Sequence, residues 1–275
     1  MSITDVYLEP LDSQIEKYEP ALRSLTRPTT MLRPLPVPAP TLEAMLDAAE
    51  QNPASSRIGG PGLVSAQHPW PIDPSDLPMY LVTQLNLAEL PPQPNLPSDG
   101  LLQFFTEEDP LGLFELKPVE NIATLVRYIP ARDIPDMRLE FHAIPEFALV
   151  SGGYFKITAT PYDQYPVFSD TSFAPEDLRL LRQIDLWDEH PERLDEFLNA
   201  QHATVFNGGW ARFVQSDPRE PDHSLSLLLQ IDAYDFPIGE VSLEIANSGI
   251  LNYFIPTTDL RALTFNNARY YWDSH

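Results

Sequence analysis

The sequence contains no cysteine and only three lysines, Lys17, Lys117 and Lys156. Without cysteine there are no disulfides, no thiolate metal centre and no cysteine nucleophile. No apolar run approaches the length of a membrane span. No basic start leads into an apolar stretch, so a secretory signal is not expected and a cytoplasmic address is. Recognisable catalytic motifs are missing as well. There is no G-x-S-x-G elbow for a serine hydrolase, no H-E-x-x-H helix for zinc, and no Gly-Lys-Ser/Thr after the glycines of Gly59-Gly60-Pro61-Gly62.

Positive charge is the other shortage. Against 40 acidic residues stand 17 basic ones, giving a formal charge of −23. Such a surface repels nucleic acid and anionic lipid headgroups, whose binding depends on cationic side chains. It attracts a basic partner and speeds the encounter, although solubility alone also explains an acidic surface. The 275 residues are 43% hydrophobic and 11% aromatic, enough to bury a real core.

Residues 1–55 read as a helical, proline-rich N-terminal extension, and residues 56–275 as the folded domain. Residues 14–25 have helical composition interrupted by Pro20. Pro28, Pro34, Pro36, Pro38 and Pro40 predict an extended, polyproline-like strap over a core. Thr41 is suited to cap a helix over 42–51, which Pro53 ends.

Within the domain one pattern occurs twice. Leu81-Val82-Thr83-Gln84-Leu85-Asn86 is followed by Gly100-Leu101-Leu102-Gln103-Phe104-Phe105. Leu227-Leu228-Leu229-Gln230-Ile231-Asp232 is followed by Gly249-Ile250-Leu251-Asn252-Tyr253-Phe254. Each copy predicts two strands, with Leu81, Leu85 and Leu87 on one face of the first and Val82, Gln84 and Asn86 on the other. The copies lie about half the chain apart, too far for a solenoid, and indicate one duplication. Further strands are expected at 124–129, 141–150 and 154–160, and Phe213-Val214-Gln215 is read as the start of the second half's sheet. Trp70, between two prolines, is expected to plug a sheet edge. Phe265, Tyr270, Tyr271 and Trp272 are expected to form an aromatic tail docked on the core.

Pro175 to Phe197 is the clearly helical region, with Pro175 and Pro191 each starting a helix. Around the junction stand Asp185, Asp188, Glu189, Glu192, Asp195 and Glu196, the densest acidic face in the sequence. Glu107-Glu108-Asp109 forms a second acidic turn. The run Asp188-Glu189-His190-Pro191-Glu192 offers oxygen ligands to a hard divalent ion; a solvated helix junction is the preferred reading, and no metal or cofactor is called for. Gln84, Asn86, Gln230 and Asp232 admit two readings. Pseudo-symmetry gathers them in a polar cleft for a small ligand, or each Gln bonds the backbone where its own sheet bends. The second is preferred.

The two echoed strands and their surroundings resemble the bacterial YwqG-like family, a domain of unknown function. The matching pieces are Ser56 to Gly62, Trp70-Pro71, Leu81 to Phe105, Gly208-Gly209, Val214-Gln215, Leu228 to Asp232, Gly249 to Ile255 and Asp259-Leu260. The sequence departs from the family at Asn207-Gly208-Gly209-Trp210, where members often carry His and Tyr, and it ends without the usual cysteine. The resemblance implies an α+β fold with largely antiparallel sheets. It also implies, for some members, a role in immunity to the product of a neighbouring toxin gene.

The expected fold is therefore α+β: two related, mainly antiparallel β halves with inserted helices. The expected function is a non-enzymatic immunity protein that blocks the substrate groove of a basic toxin, most naturally a nuclease. Its acidic faces would carry the contact: Glu107, Glu108 and Asp109 on one, and Asp185, Asp188, Glu189, Glu192, Asp195 and Glu196 on the other. The alternatives are a small-ligand module at the cleft between the halves and an enzyme with an unrecognised site.

Overall fold

The repeat seen in the sequence is a repeat in the sheet. A computed structural model describes residues 15–39, 41–107, 124–142, 150–151, 153–187, 189–201, 203–219, 224–235, 242–245 and 248–274. Along the chain run β1 (Arg27–Pro36), β2 (Arg57–Ile58), β3 (Gly62–Val64), β4 (Tyr80–Asn86), β5 (Leu101–Thr106) and β6 (Thr124–Ile129). They are followed by β7 (Arg138–Glu140), β8 (Val150–Ser151), β9 (Phe155–Gln164), β10 (Val205–Phe206) and β11 (Leu225–Asp232). β12 (Tyr234–Asp235), β13 (Ser242–Ile245), β14 (Ile250–Pro256) and β15 (Arg269–Asp273) complete the set. Ten of these form one antiparallel sheet in the order β15-β14-β11-β10-β1-β9-β2-β4-β5-β6. Read outward from the β1/β9 pair, the two sides match strand for strand. The fold is α+β, with a large barrel-like sheet.

The registers match as well. Gln84 faces Gln103 and Leu85 faces Leu102; Gln230 faces Asn252 and Ile231 faces Leu251. Both copies carry a bulge at the same place, between Leu81 and Thr83 in one and between Leu227 and Leu229 in the other. A bulge inserts one residue and moves side chains to the other face. Leu81 consequently joins Trp70 and Phe105 on the outer face, whereas Tyr80, Val82 and Leu85 point into the main core. This corrects the strict alternation expected of residues 81–87.

The proline ladder is not a strap. Ten residues of β1 pair with β9, from Arg27↔Gln164 to Pro36↔Phe155, and put this segment at the centre of the sheet. Prolines are tolerated there because N–H groups alternate in direction along a strand. Val37 N–H donates to Tyr154 O on the β9 side, whereas Leu32 N–H donates to Thr204 O on the other. Pro28, Pro34 and Pro36 share the even register of Leu32. Their missing donors therefore fall on the side where the short β10 gives no strand partner beyond Thr30 and Met31. On β9, Ile157 N–H donates to Ser56 O, and Pro161, in the same register, again faces the side that β2 leaves free. The prolines cap the open edges of two long strands against further pairing.

Sequence signals for the helices hold. Thr41 Oγ1 accepts from Ala44 N at 3.2 Å and caps α2 (Leu42–Glu50). Pro175 opens α3 (Pro175–Trp187) and Pro191 opens α4 (Pro191–Asn199). Pro20 lies in the first turn of α1 (Glu19–Ser24) and starts it rather than kinking it. α1 packs on α3 and α4 through Leu22, Leu181, Ile184, Leu194, Phe197 and Leu198. A short α5 (Thr257–Arg261) follows β14. One strand expectation is corrected. Residues 213–215 are loop, and the second half's sheet starts at β10. Of the strand expected over 141–150, residues 141–142 are loop, 143–149 lie outside the described residues, and Val150 opens β8. The aromatic tail docks on the core as expected, with Phe265, Tyr270 and Trp272 joining it, and residues 269–273 do so as a strand, β15, paired with β14.

Both halves contribute to one main core, from Leu32, Val82 and Phe104 to Leu229, Tyr253 and Trp272. Each such side chain contributes on the order of 1.5–3 kcal/mol by leaving water. Among the described residues, no helix is long and apolar enough to cross a membrane.

Candidate functional site

The amides of the repeat hold its loops. Gln84 is fully buried. Its Oε1 accepts from Leu63 N at 3.2 Å and from Gln103 Nε2 at 2.9 Å; its Nε2 donates to Pro53 O at 3.2 Å and Ser55 O at 3.3 Å. Gln230, equally buried, accepts from Arg212 N at 2.8 Å and donates to Ala203 O at 2.7 Å. Gln103 Nε2 donates to Leu63 O at 2.9 Å, and Asn252 Nδ2 repeats this with Arg212 O at 2.9 Å. Each amide pair thus fastens both backbone groups of one residue, Leu63 in β3 or Arg212 in the loop after β10. Glycines with positive φ bring these loops to the sheet. A Cβ on Gly59 would lie 2.6 Å from Gly153 O, and one on Gly208 would lie 2.8 Å from Pro28 O.

The halves diverge beside these amides. Asn86 Oδ1 accepts from Ala88 N and caps a 3-10 turn. Its counterpart Asp232 takes both oxygens to Arg212 Nη1 at 3.2 Å. The substitution of acid for amide goes with Arg212 in place of Leu63. Across the first half's sheet Lys156, Arg57, Gln84, Gln103 and Arg127 stand in one register row, where the second half has Val205, Gln230, Asn252 and Tyr271. Burial pushes the Arg127 guanidinium down to about 10, still charged at neutral pH. Gln84 and Gln230 sit on strands separated by four others. The four predicted residues therefore form two networks, one in each half, rather than one cleft.

The acidic residues are placed differently. Asp185, Glu189, Glu192, Asp195 and Glu196 are all exposed on α3, α4 and the turn between them. The opposite faces of the same helices carry the apolar residues that pack on α1, so the carboxylates are held on a backed surface. His190 Nδ1 lies 3.1 Å from Glu192 Oε1. Arg179 and Arg182 are exposed on α3 as well, so the face is mixed toward the start of α3 and acidic toward α4. Glu107 is half-buried at the end of β5; Glu108, Asp109 and Asp188 lie outside the described residues. Among the described residues no group of three His, Asp or Glu side chains is set to hold a metal ion.

Sequence reading missed a buried ionic knot beside the second half. Asp217 accepts from Arg219 Nη2 at 2.6 Å and from Thr171 N at 3.1 Å. Asp170 accepts from the same Arg219 Nη2 at 2.8 Å and from Ala211 N at 2.7 Å. Burial acts to raise the Asp217 carboxyl, but hydrogen bonds and charge from Arg219 outweigh it and hold the group below its usual range. The knot ties the segment leading to α3 onto the loop after β10. It thereby fixes the helical layer on the sheet.

The fold and these networks define a duplicated α+β protein whose polar buried residues serve its loops. The family model described as "Domain of unknown function (DUF1963)" matches residues 56–274, and the chain belongs to this family. The match leaves out β1, the strand at the centre of the sheet. No curated protein is matched by the sequence.

Proposed function

We propose that this chain is a non-enzymatic, cytoplasmic immunity protein that binds and blocks a basic bacterial toxin, most naturally a nuclease. The observation that carries this reading is the outer face of α3 and α4, where Asp185, Glu189, Glu192, Asp195 and Glu196 are exposed on a chain of formal charge −23. A rigid array of carboxylates presents to a basic groove the same charge that a nucleic-acid substrate presents. The finer resemblance to YwqG-like proteins, some of whose genes neighbour toxin genes, supports the same reading.

The test is co-purification of the chain with the inactivated product of the neighbouring gene, followed by co-expression with the active form. An equimolar complex and restored growth are expected. A chain that rescues at substoichiometric levels would instead be acting catalytically, and absence of both binding and rescue would end the immunity reading.

A further inference from the structure

A cleft of about 490 Å³ opens on the first half, lined by Trp70, Ile72, Pro78, Arg138, Glu140 and His142 among others. It is made by elements with no counterpart in the second half among the described residues: the hairpin over 65–79 and β7, which pairs with β3. The duplicated framework does not require these parts.

The floor is built and rigid. Trp70 Nε1 donates to Met79 O at 2.6 Å, and its ring meets Phe105 edge-on at 5.4 Å. The His142 ring lies 4.7 Å from it. Asp73 Oδ1 accepts from Ser75 N at 2.8 Å and Leu77 N at 2.9 Å, which fixes the hairpin tip. Ile72, which lines the cleft, is 61% exposed, and Leu77 on the same hairpin is 48% exposed. Fixed aliphatic side chains in water beside a concave wall mark a binding surface better than scattered ones do.

The polar wall is an ion pair whose cationic partner is the more exposed. β7 turns Leu139 toward the apolar cluster of Leu63, Leu101 and Ile129, which leaves Arg138 and Glu140 on the other face. Glu140 is already engaged on both oxygens: Oε2 by Arg138 Nη1 and Oε1 by His142 Nε2 at 2.9 Å. Because a carboxylate only accepts, the proton of that bond belongs to His142 Nε2. Each Glu140 oxygen keeps a further lone pair, but the Glu140 side chain is 25% exposed against 69% for Arg138, so the accessible capacity of the wall lies on the remaining N–H groups of Arg138.

We propose that this cleft binds a small monocarboxylate with an aliphatic body, its carboxylate on the free edge of Arg138 and its chain against Ile72, Pro78 and the rim of Trp70. Guanidinium–carboxylate pairing is planar and two-pronged, and the apolar walls accept the chain.

Isothermal titration calorimetry with octanoate, octanamide and octylamine on the full chain tests this. Octanoate is expected to bind saturably at one site, with the amide and the amine each weaker by about tenfold or more. Arg138→Gln, an exposed substitution whose fold is checked by circular dichroism, is expected to lower octanoate affinity by about tenfold. Glu140→Gln is expected to retain binding, because it removes no donor from the ligand's side. Equal or tighter binding of octylamine, an unchanged affinity in Arg138→Gln, or no saturation by octanoate at millimolar concentration would each overturn the proposal.

Discussion

Phe104 and Tyr253 occupy the same position in the two halves, and their rings meet edge to face with centroids 5.0 Å apart. β5 and β14 stand far apart in the sheet order, so this contact exists only because the sheet curls until its halves face each other. Both side chains are fully buried. A residue touching its own repeat counterpart couples the halves into one cooperative unit. Phe104→Leu and Tyr253→Leu are each expected to cost about 1–3 kcal/mol in urea unfolding. The double variant should show a coupling of about 0.5–1.5 kcal/mol. Strict additivity, or two separate unfolding transitions, would mean that the halves are energetically independent.

The amide networks predict a matched pair of losses. Gln84→Leu abandons the bonds to Leu63, Pro53 and Ser55, and Gln230→Leu those to Arg212 and Ala203. Each backbone group left buried without a partner costs about 1–3 kcal/mol. Gln84, with more partners, should be the more damaging site. Chemical denaturation of both variants reads the order directly; a smaller loss at Gln84 would contradict it.

The edge prolines should matter for association more than for stability. Pro34→Thr and Pro161→Thr restore N–H donors on the free sides of β1 and β9. Their unfolding free energies are expected to shift by only about 0.5–1 kcal/mol. Their apparent mass in light scattering should rise with concentration while the parent chain stays constant, because an open strand edge recruits another strand. A variant that remains as monodisperse as the parent would show that these prolines do not guard the edges.

Asp273 gives a dependence on pH. It is fully buried, and burial raises its carboxyl above the usual range, against the bonds it accepts from Val214 N and Gln215 N at 2.9 Å. Its folded value thus exceeds the unfolded value of about 3.9. Between those two values the native state holds more protons than the unfolded chain, so stability falls as pH rises through that window. Asp273→Asn removes the penalty. The stability of the variant relative to the parent should therefore grow from pH 4 to pH 7 in thermal melts. A constant or shrinking difference would contradict the sign.

Signals that are local in sequence were legible. Thr41 caps its helix, Pro175 and Pro191 open theirs, and the duplicated strand pairs are found where Gln84, Gln103, Gln230 and Asn252 stand. What escaped depends on distant partners. The proline-rich β1 reads as an extended strap over the core until β9 is placed beside it and the prolines are seen to share the unpaired register. The bulge that turns Leu81 outward is set by pairing with β5, and local alternation cannot reveal it. The contact of the Trp70 and His142 rings and the grip of Asp170 on Arg219 join residues that no spacing rule connects. The acidic face was legible as charge, but its backing by α1 was not.

The most direct test of the functional account is the association rate with the inactivated neighbouring-gene product, measured by stopped flow at low and high salt. The parent chain is compared with the triple variant Glu189→Lys, Glu192→Lys and Asp195→Lys. If the α4 face steers a basic partner, the parent's rate should fall by on the order of tenfold or more as salt screens the exposed charges. The triple variant should start slow and respond little to salt. Equal rates for the two proteins, or a parent rate indifferent to salt, would contradict the claim that this face is the docking surface.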